Sequence, residues 1–213
     1  VFKRKEGSSR DGNPLLYALK GEKWKFKSQR DRQNIEEQFS AIADKFLSSH
    51  SYDIALLVPS GNALNKHIAD VIASEAKHIE IIDNAICKLR IENVYEIIME
   101  DDSKFRQFYS GDEFYGAYDD LCKYLKKMDE KRDGYFSRHF ILDAKMRNVL
   151  DFTLKASDDA SAKYANKING RDLLIIDDTI SRGQTVRKAV NIARECYVPK
   201  SISVLTLFSK LYK

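Results

Sequence analysis

Two adjacent carboxylates, Asp177 and Asp178, follow a run of four aliphatic residues, Leu173 to Ile176, and precede a small polar stretch that runs to Thr185. A continuous aliphatic run of this length fits a short strand buried on both faces. Beyond the acids come Thr179, Ser181, Arg182, Gly183, Gln184 and Thr185, and then Val186, Ala189, Val190 and Ala193 at helical spacing. Strand, acidic pair, glycine-containing loop and helix form the outline of an anion site. The backbone N–H groups of the loop and of the helix N-terminus carry partial positive charge, and the hydroxyls of Ser181 and Thr185 add donors. A phosphate alone has no need of two carboxylates. A ligand with a phosphate at one end and vicinal hydroxyls or a bound metal a sugar's width away uses both. The alternative is an ordinary strand-to-helix turn with an acidic cap; the coincidence of all four features in order favours the anion site.

The thirteen residues from Leu173 to Thr185 resemble the 5-phosphoribosyl-1-pyrophosphate (PRPP) motif of type I phosphoribosyltransferases. The resemblance implies that Asp177 and Asp178 meet the ribose hydroxyls, directly or by way of Mg²⁺ or its waters. It also implies that Thr179, Ser181, Arg182, Gly183, Gln184 and Thr185 wrap the 5′-phosphate. Two positions depart from the family pattern: Thr179 stands where an aliphatic residue is usual, and Arg182 where a small one is. Family members acting on 6-oxopurines commonly begin the phosphate loop with Asp. Here that residue is Ser181, which points away from 6-oxopurines and leaves orotate-like, adenine-like and amidophosphoribosyl-like acceptors open. The order of Leu19-Lys20-Gly21, Val58-Pro59 and Asp177-Asp178 also bears a faint likeness to the competence-protein-like branch.

A second strand, loop and helix unit is expected upstream. Asp53 to Pro59 reads as a buried strand, Ser60-Gly61-Asn62 as a loop, and Leu64, Ile68, Ile72 and Ala76 as one face of a helix. Two such loops at the carboxyl ends of parallel strands would converge on one crevice, where ligands sit in open α/β sheets. By resemblance, Ser60, Gly61 and Asn62 are the pyrophosphate loop, although Ser-Gly-Asn alone is common turn chemistry. Lys66 and His67 on the following helix read as surface or core residues. Lys88 and Arg90 alternate in a further short apolar stretch, so a strand would turn both to one face; they are candidate pyrophosphate cations or plain surface charges.

The elements that must position these residues define an α/β fold. The expected architecture is a single domain over 1–213 with a parallel-sheet, Rossmann-like core of the type I phosphoribosyltransferase kind. Residues 1–32 hold ten Lys or Arg against four acids and are expected to form a basic arm or hood. Lys23, Lys25 and Lys27 alternate there with Trp24 and Phe26, which suits either single-stranded nucleic acid or, preferably, a half-buried edge strand. By resemblance, Trp24 and Phe26 could line an acceptor pocket. Residues 92–140 contain eleven of the 22 Tyr and Phe residues and read as a helical insertion or lid, with one clear helix through Phe114, Tyr118, Leu121, Leu125 and Met128.

Bulk properties narrow the function classes. A formal charge of +4 is too mild to call for nucleic-acid binding but suits an anionic substrate. Cys87, Cys122 and Cys196 are odd in number and without CxxC spacing, which argues for reduced thiols rather than a zinc site. No apolar run approaches the roughly 20 residues of a membrane span, and no signal-peptide pattern opens the sequence, so no membrane partner and a cytoplasmic location are expected. The sequence thus leads to a Mg²⁺-dependent, homodimeric transferase moving 5-phosphoribosyl from PRPP to a nitrogenous acceptor. The competing expectation is a non-catalytic PRPP sensor with a nucleic-acid-binding basic surface. An empty acid pair should also store unfavourable charge, so Asp178→Asn is expected to leave stability level or raised.

Overall fold

The computed structural model describes residues 2–4, 13–21, 24–60, 64–100, 102–132, 134–136, 141, 143–150, 154–157, 161–180 and 183–209. The chain starts with β1 (Phe2–Arg4), α1 (Pro14–Leu19), β2 (Trp24–Phe26), α2 (Gln29–Ser48), β3 (Ile54–Leu57), α3 (Leu64–Glu75) and β4 (Glu80–Ile82). It continues through β5 (Ile86–Lys88), α4 (Ile91–Glu100), α5 (Ser103–Phe108), α6 (Asp112–Arg132), α7 (Ala144–Val149) and β6 (Leu154–Ala156). It ends with α8 (Ser161–Ile168), β7 (Asp172–Ile180), α9 (Gln184–Ile192), a π-helical turn at Ala193–Tyr197, and β8 (Ser201–Ser209). These elements fall into two compact units, Val1–Ala85 with Ser157–Lys213, and Ile86–Ala156. The expected insertion at 92–140 lies inside the second.

The first unit is α/β, as expected. Its sheet runs β4-β3-β7-β8, with every neighbouring pair parallel. Leu173 to Ile176 are fully buried in the central strand, which is why no polar alternation interrupts them. One face of the sheet, carrying Ala55, Leu57, Leu174 and Ile176, is covered by Leu64, Ile68 and Ile72 of α3, with Leu16 and Leu19 of α1 packed alongside. The strand does not stop at the acids. β7 continues through Asp177, Asp178 and Thr179 to Ile180, because β8 supplies partners as far as Ser209. That corrects the expectation of a turn beginning directly after Asp178.

Helix α1 is closed by caps at both ends. Asn13 accepts hydrogen bonds from the N–H groups of Leu15 (2.9 Å) and Leu16 (3.2 Å), and Pro14 occupies the first helical position. Gly21, at φ +69°, ends the turn after Lys20 in a left-handed conformation that suits glycine. β1 and β2 form an antiparallel ribbon, so within the expected basic arm or hood Phe2–Arg4 is a strand. Among the described residues no helix is long and apolar enough to cross a membrane, and none of the three cysteines forms a disulfide.

The second unit pairs β5 antiparallel with β6 and surrounds a helical core. Val94, Leu121, Leu125, Met128, Ile141 and Leu150 are buried to 1% exposure or less. Its aromatics are largely core. Phe105 meets Phe114 edge-on at 5.6 Å and Tyr109 at 5.0 Å.

Candidate functional site

The acids close the buried part of β7. Asp177 and Asp178 are 7% and 6% exposed, and with Asn65 they make up the buried polar residues among those described. Consecutive strand residues point to opposite faces, so one strand end sets two carboxylates a pleat apart. The Asp178 N–H donates to Asp177 Oδ1 at 3.0 Å. Burial, followed by the neighbouring Asp178 charge, pushes the Asp177 carboxyl up to about 6 against the opposing pull of the Asp178 N–H, the Asn65 amide and Lys20.

Asp178 is met by a residue that the sequence did not single out for chemistry. The Lys20 ammonium lies 2.7 Å from Asp178 Oδ2, with side chains only 15% and 9% exposed. Lys20 follows the last residue of α1, and its backbone N–H donates to the Leu16 carbonyl at 3.0 Å, so the helix end aims the side chain. A lysine just before a glycine reads in sequence as an ordinary helix C-terminus, and nothing local distinguishes it.

The phosphate-loop side starts where β7 ends. Thr179 and Asp178 lie on the strand, and the Thr179 hydroxyl oxygen is buried without a hydrogen-bond partner among the described residues. Gly183 is the N-cap of α9 at φ +72°, and having no side chain it leaves the first N–H groups of the helix uncapped from that position. Gln184 and Thr185 open α9, with Thr185 exposed. Ser181 and Arg182 lie outside the described residues, as do Gly61 and Asn62 of the other loop.

Ser60 sits beyond the carboxyl end of β3, the strand hydrogen-bonded to β7. Pairing extends to the Val58 N–H, which donates to the Ile176 carbonyl at 2.9 Å, so Pro59-Ser60 leave β3 at the end of the sheet where β7 carries the acids. Asn65, in the first turn of α3, joins the two. Its Nδ2 donates to the Val58 carbonyl at 2.7 Å, its amide steadies Asp177, and its Oδ1 is buried with no partner among the described residues. Sequence reading missed Asn65 because a polar residue beside a predicted helix start passes for a cap.

Lys88 and Arg90 belong to the second unit. Lys88 is half-buried at the end of β5. Arg90 pairs with Glu92 at 3.3 Å and lies 5.7 Å from the Tyr135 ring centroid, so local partners already engage it. In the first unit a cavity of about 270 Å³ is lined by Leu19, Phe26, Arg32, Glu36, Lys66 and His67, among others. Phe26 is in its wall. Trp24 is not in its wall, and its buried Nε1 has no partner among the described residues.

No protein-family model matches the chain, and no curated protein sequence matches it either. Among solved structures it is similar to a hypoxanthine-guanine phosphoribosyltransferase from Bacillus anthracis, at 13% identity and a TM-score of 0.42, over 84% of this chain and 68% of that one. It is also similar to a hypoxanthine phosphoribosyltransferase from Staphylococcus aureus, at 14% identity and a TM-score of 0.40, over 83% of this chain and 65% of that one. The chain thus spans about two thirds of the length of each. At these identities and TM-scores neither likeness decides an activity or a substrate.

Proposed function

We propose that this chain binds PRPP and transfers its 5-phosphoribosyl group to a nitrogenous acceptor, releasing pyrophosphate. The observation that carries the reading is the buried acid pair at the end of β7, followed within one short loop by a helix that starts on a left-handed glycine. In this reading the N–H groups of Gly183, Gln184 and Thr185 receive the 5′-phosphate, and Asp177 and Asp178 accept hydrogen bonds from the ribose hydroxyls. Ser60 borders the pyrophosphate. The C1–O bond to pyrophosphate breaks, a C1–N bond to the acceptor forms, and the acceptor nitrogen gives up its proton. The chain's part is to align the reactants and to stabilise charge as it develops.

Magnesium is expected from the family resemblance, where it would supply charge neutralisation for the leaving group. The donor set at the acids does not fit a protein-held ion. Lys20 occupies Asp178, burial disfavours the anion of Asp177, and among the described residues no cluster of three or more His, Cys, Asp or Glu could hold a metal. Mg²⁺ asks for octahedral oxygen ligands and is reluctant to dehydrate. An ion at this site would be carried by the pyrophosphate oxygens of the ligand rather than by the protein.

Ser181 narrows the acceptor without fixing it. Its place at the head of the phosphate loop argues for orotate-like, adenine-like or ammonia-type acceptors over 6-oxopurines, despite the names of the two similar structures. Pyrophosphate release from PRPP with Mg²⁺, measured across orotate, adenine, hypoxanthine and ammonia, tests this. Release with one of the acceptors other than hypoxanthine is expected; no release together with no PRPP binding would overturn the reading.

One observation favours a sensor as the second reading. Lys3 and Lys25 are directly opposite in the β1–β2 ribbon and both exposed. Like charges facing across strands are unfavourable, and a polyanion would relieve them. Phe2 and Phe26 pack on each other at 5.5 Å, which leaves phosphate contact rather than base stacking as the mode. Salt-dependent retention on single-stranded DNA, lost in Lys3→Gln/Lys25→Gln, would support it.

A further inference from the structure

We propose that Lys20 is the working cation of the acid pair: its ammonium stays against Asp178 and contacts the vicinal hydroxyls of the bound sugar phosphate, so the ribose end is held without a protein-bound metal. This rests on the phosphoribosyl reading above.

Exposure separates this ion pair from the others. Lys123, Lys145, Lys167 and Lys200 also pair with acids, but their side chains are 41–74% exposed, against 15% for Lys20. Exposed pairs of that kind contribute little. A buried pair is different: desolvation offsets its attraction, and an apolar pair of similar size would often be as stable. Stability alone therefore does not account for placing a lysine here, and a ligand does.

The surrounding groups point to the chemistry of that ligand. At the same end of the sheet Asn65 Oδ1 is buried without a partner among the described residues, and Asn65 is 3% exposed; the Thr179 hydroxyl, also without one, follows Asp178 on the strand and turns to the other face. An unmet buried acceptor is costly, so a ligand rich in hydroxyls would satisfy that of Asn65. A diol both donates and accepts. Against a carboxylate and an ammonium, each sugar hydroxyl can donate to Asp178 or Asp177 and accept from Lys20. A divalent cation would have to displace the ammonium and would offer no donor of its own. The aim of Lys20 is fixed by α1, whose Leu16 and Leu19 pack on the core and whose end is set by Gly21.

The test is calorimetric titration of the full chain with ribose 5-phosphate and with 2-deoxyribose 5-phosphate, in EDTA and in excess Mg²⁺. The unaltered protein should bind ribose 5-phosphate equally in both buffers, within about twofold, and should prefer it to the deoxy sugar by about tenfold, the scale of one lost hydrogen bond to a charged group. Lys20→Met should weaken ribose 5-phosphate at least about tenfold and erase the preference. Lys20→Arg should keep part of it. Ribose 5-phosphate binding that requires Mg²⁺ would overturn the inference, as would undiminished binding by a folded Lys20→Met variant. The first of these needs no variant, so a Lys20→Met chain that fails to fold leaves the proposal open to refutation. Failure of the unaltered protein to bind ribose 5-phosphate or PRPP in either buffer would instead refute the phosphoribosyl reading, and this inference with it.

Discussion

The two compact units bury different kinds of residue. In the first, Asn65, Asp177 and Asp178 lie among aliphatic side chains at one end of the sheet, with Lys20 drawn in against them. In the second, the buried set is aliphatic and aromatic, and its charges remain at the rim, as with Lys145, 3.3 Å from Glu113 and 4.4 Å from the Tyr109 ring. Burying polar groups without full compensation costs stability. Among the described residues the first unit alone buries carboxylates, so the cost falls at the sheet end where the proposed ligand would bind.

The largest expected effect tests whether the second unit serves stability alone. Phe105 is 2% exposed and contacts two aromatic rings. Phe105→Ala should cost about 3–5 kcal/mol, read from the urea midpoint. In the folded fraction the affinity for ribose 5-phosphate should stay within about twofold, a change of roughly 0.4 kcal/mol. A tenfold loss of affinity would break the division of labour between the units.

The next effect contrasts two neighbouring acids. The sequence alone predicts that Asp178→Asn leaves stability level or raised. The ion pair at 2.7 Å reverses that: removing the acid strands a largely buried ammonium, and a loss of about 3 kcal/mol is expected. Adding Lys20→Met to Asp178→Asn should recover part of it, which a double-mutant cycle measures. Independent, additive losses would show that the pair is incidental.

The favourable effect belongs to Asp177. Its carboxyl stands at about 6 in the folded protein because of burial and then the charge of Asp178, against an ordinary value of 3.8. Below pH ~4 both folded and unfolded chains hold the proton, and the group is neutral in its effect. As pH rises from there toward 6 the unfolded chain releases its proton first, so stability falls, and the full penalty is present above pH ~6. Asp177→Asn should remove this slope and add about 3 kcal/mol at pH 7, at the expense of sugar binding. A flat difference between variant and parent from pH 4 to 7 would contradict the assignment.

What the sequence could reveal follows the range of the interactions. The helix through Leu64, Ile68 and Ile72 and the strand Leu173 to Ile176 were legible, because burial on one or both faces leaves a local pattern. The continuation of β7 through two acids was not, because the partners that hold it extended are Thr206 to Ser209, which lie after the intervening helix. Lys20 and Asn65 were illegible as site residues for the same reason: each acquires its role only when α1 or α3 packs on the sheet. The span of the second unit, Ile86–Ala156, exceeds the aromatic-rich 92–140 because the β5–β6 ribbon joins its two ends.

The smallest effect sharpens the comparison at the phosphate loop. Gly183 holds φ +72° at the start of α9, where a side chain strains the backbone, yet a Cβ placed there meets nothing within 4 Å. Gly183→Ala should therefore cost only about 1 kcal/mol of stability, from the left-handed conformation rather than from a clash. Binding should respond differently. A backbone that a phosphate approaches closely has no room for a methyl group between N–H and ligand, so affinity for inorganic phosphate and ribose 5-phosphate should fall together, by about tenfold, with the preference for ribose over 2-deoxyribose unchanged. Lys20→Met predicts the opposite pattern, with ribose selectivity lost and inorganic phosphate binding retained. If Gly183→Ala instead altered the sugar preference and spared phosphate, the loop and the acid pair would have exchanged the roles assigned to them.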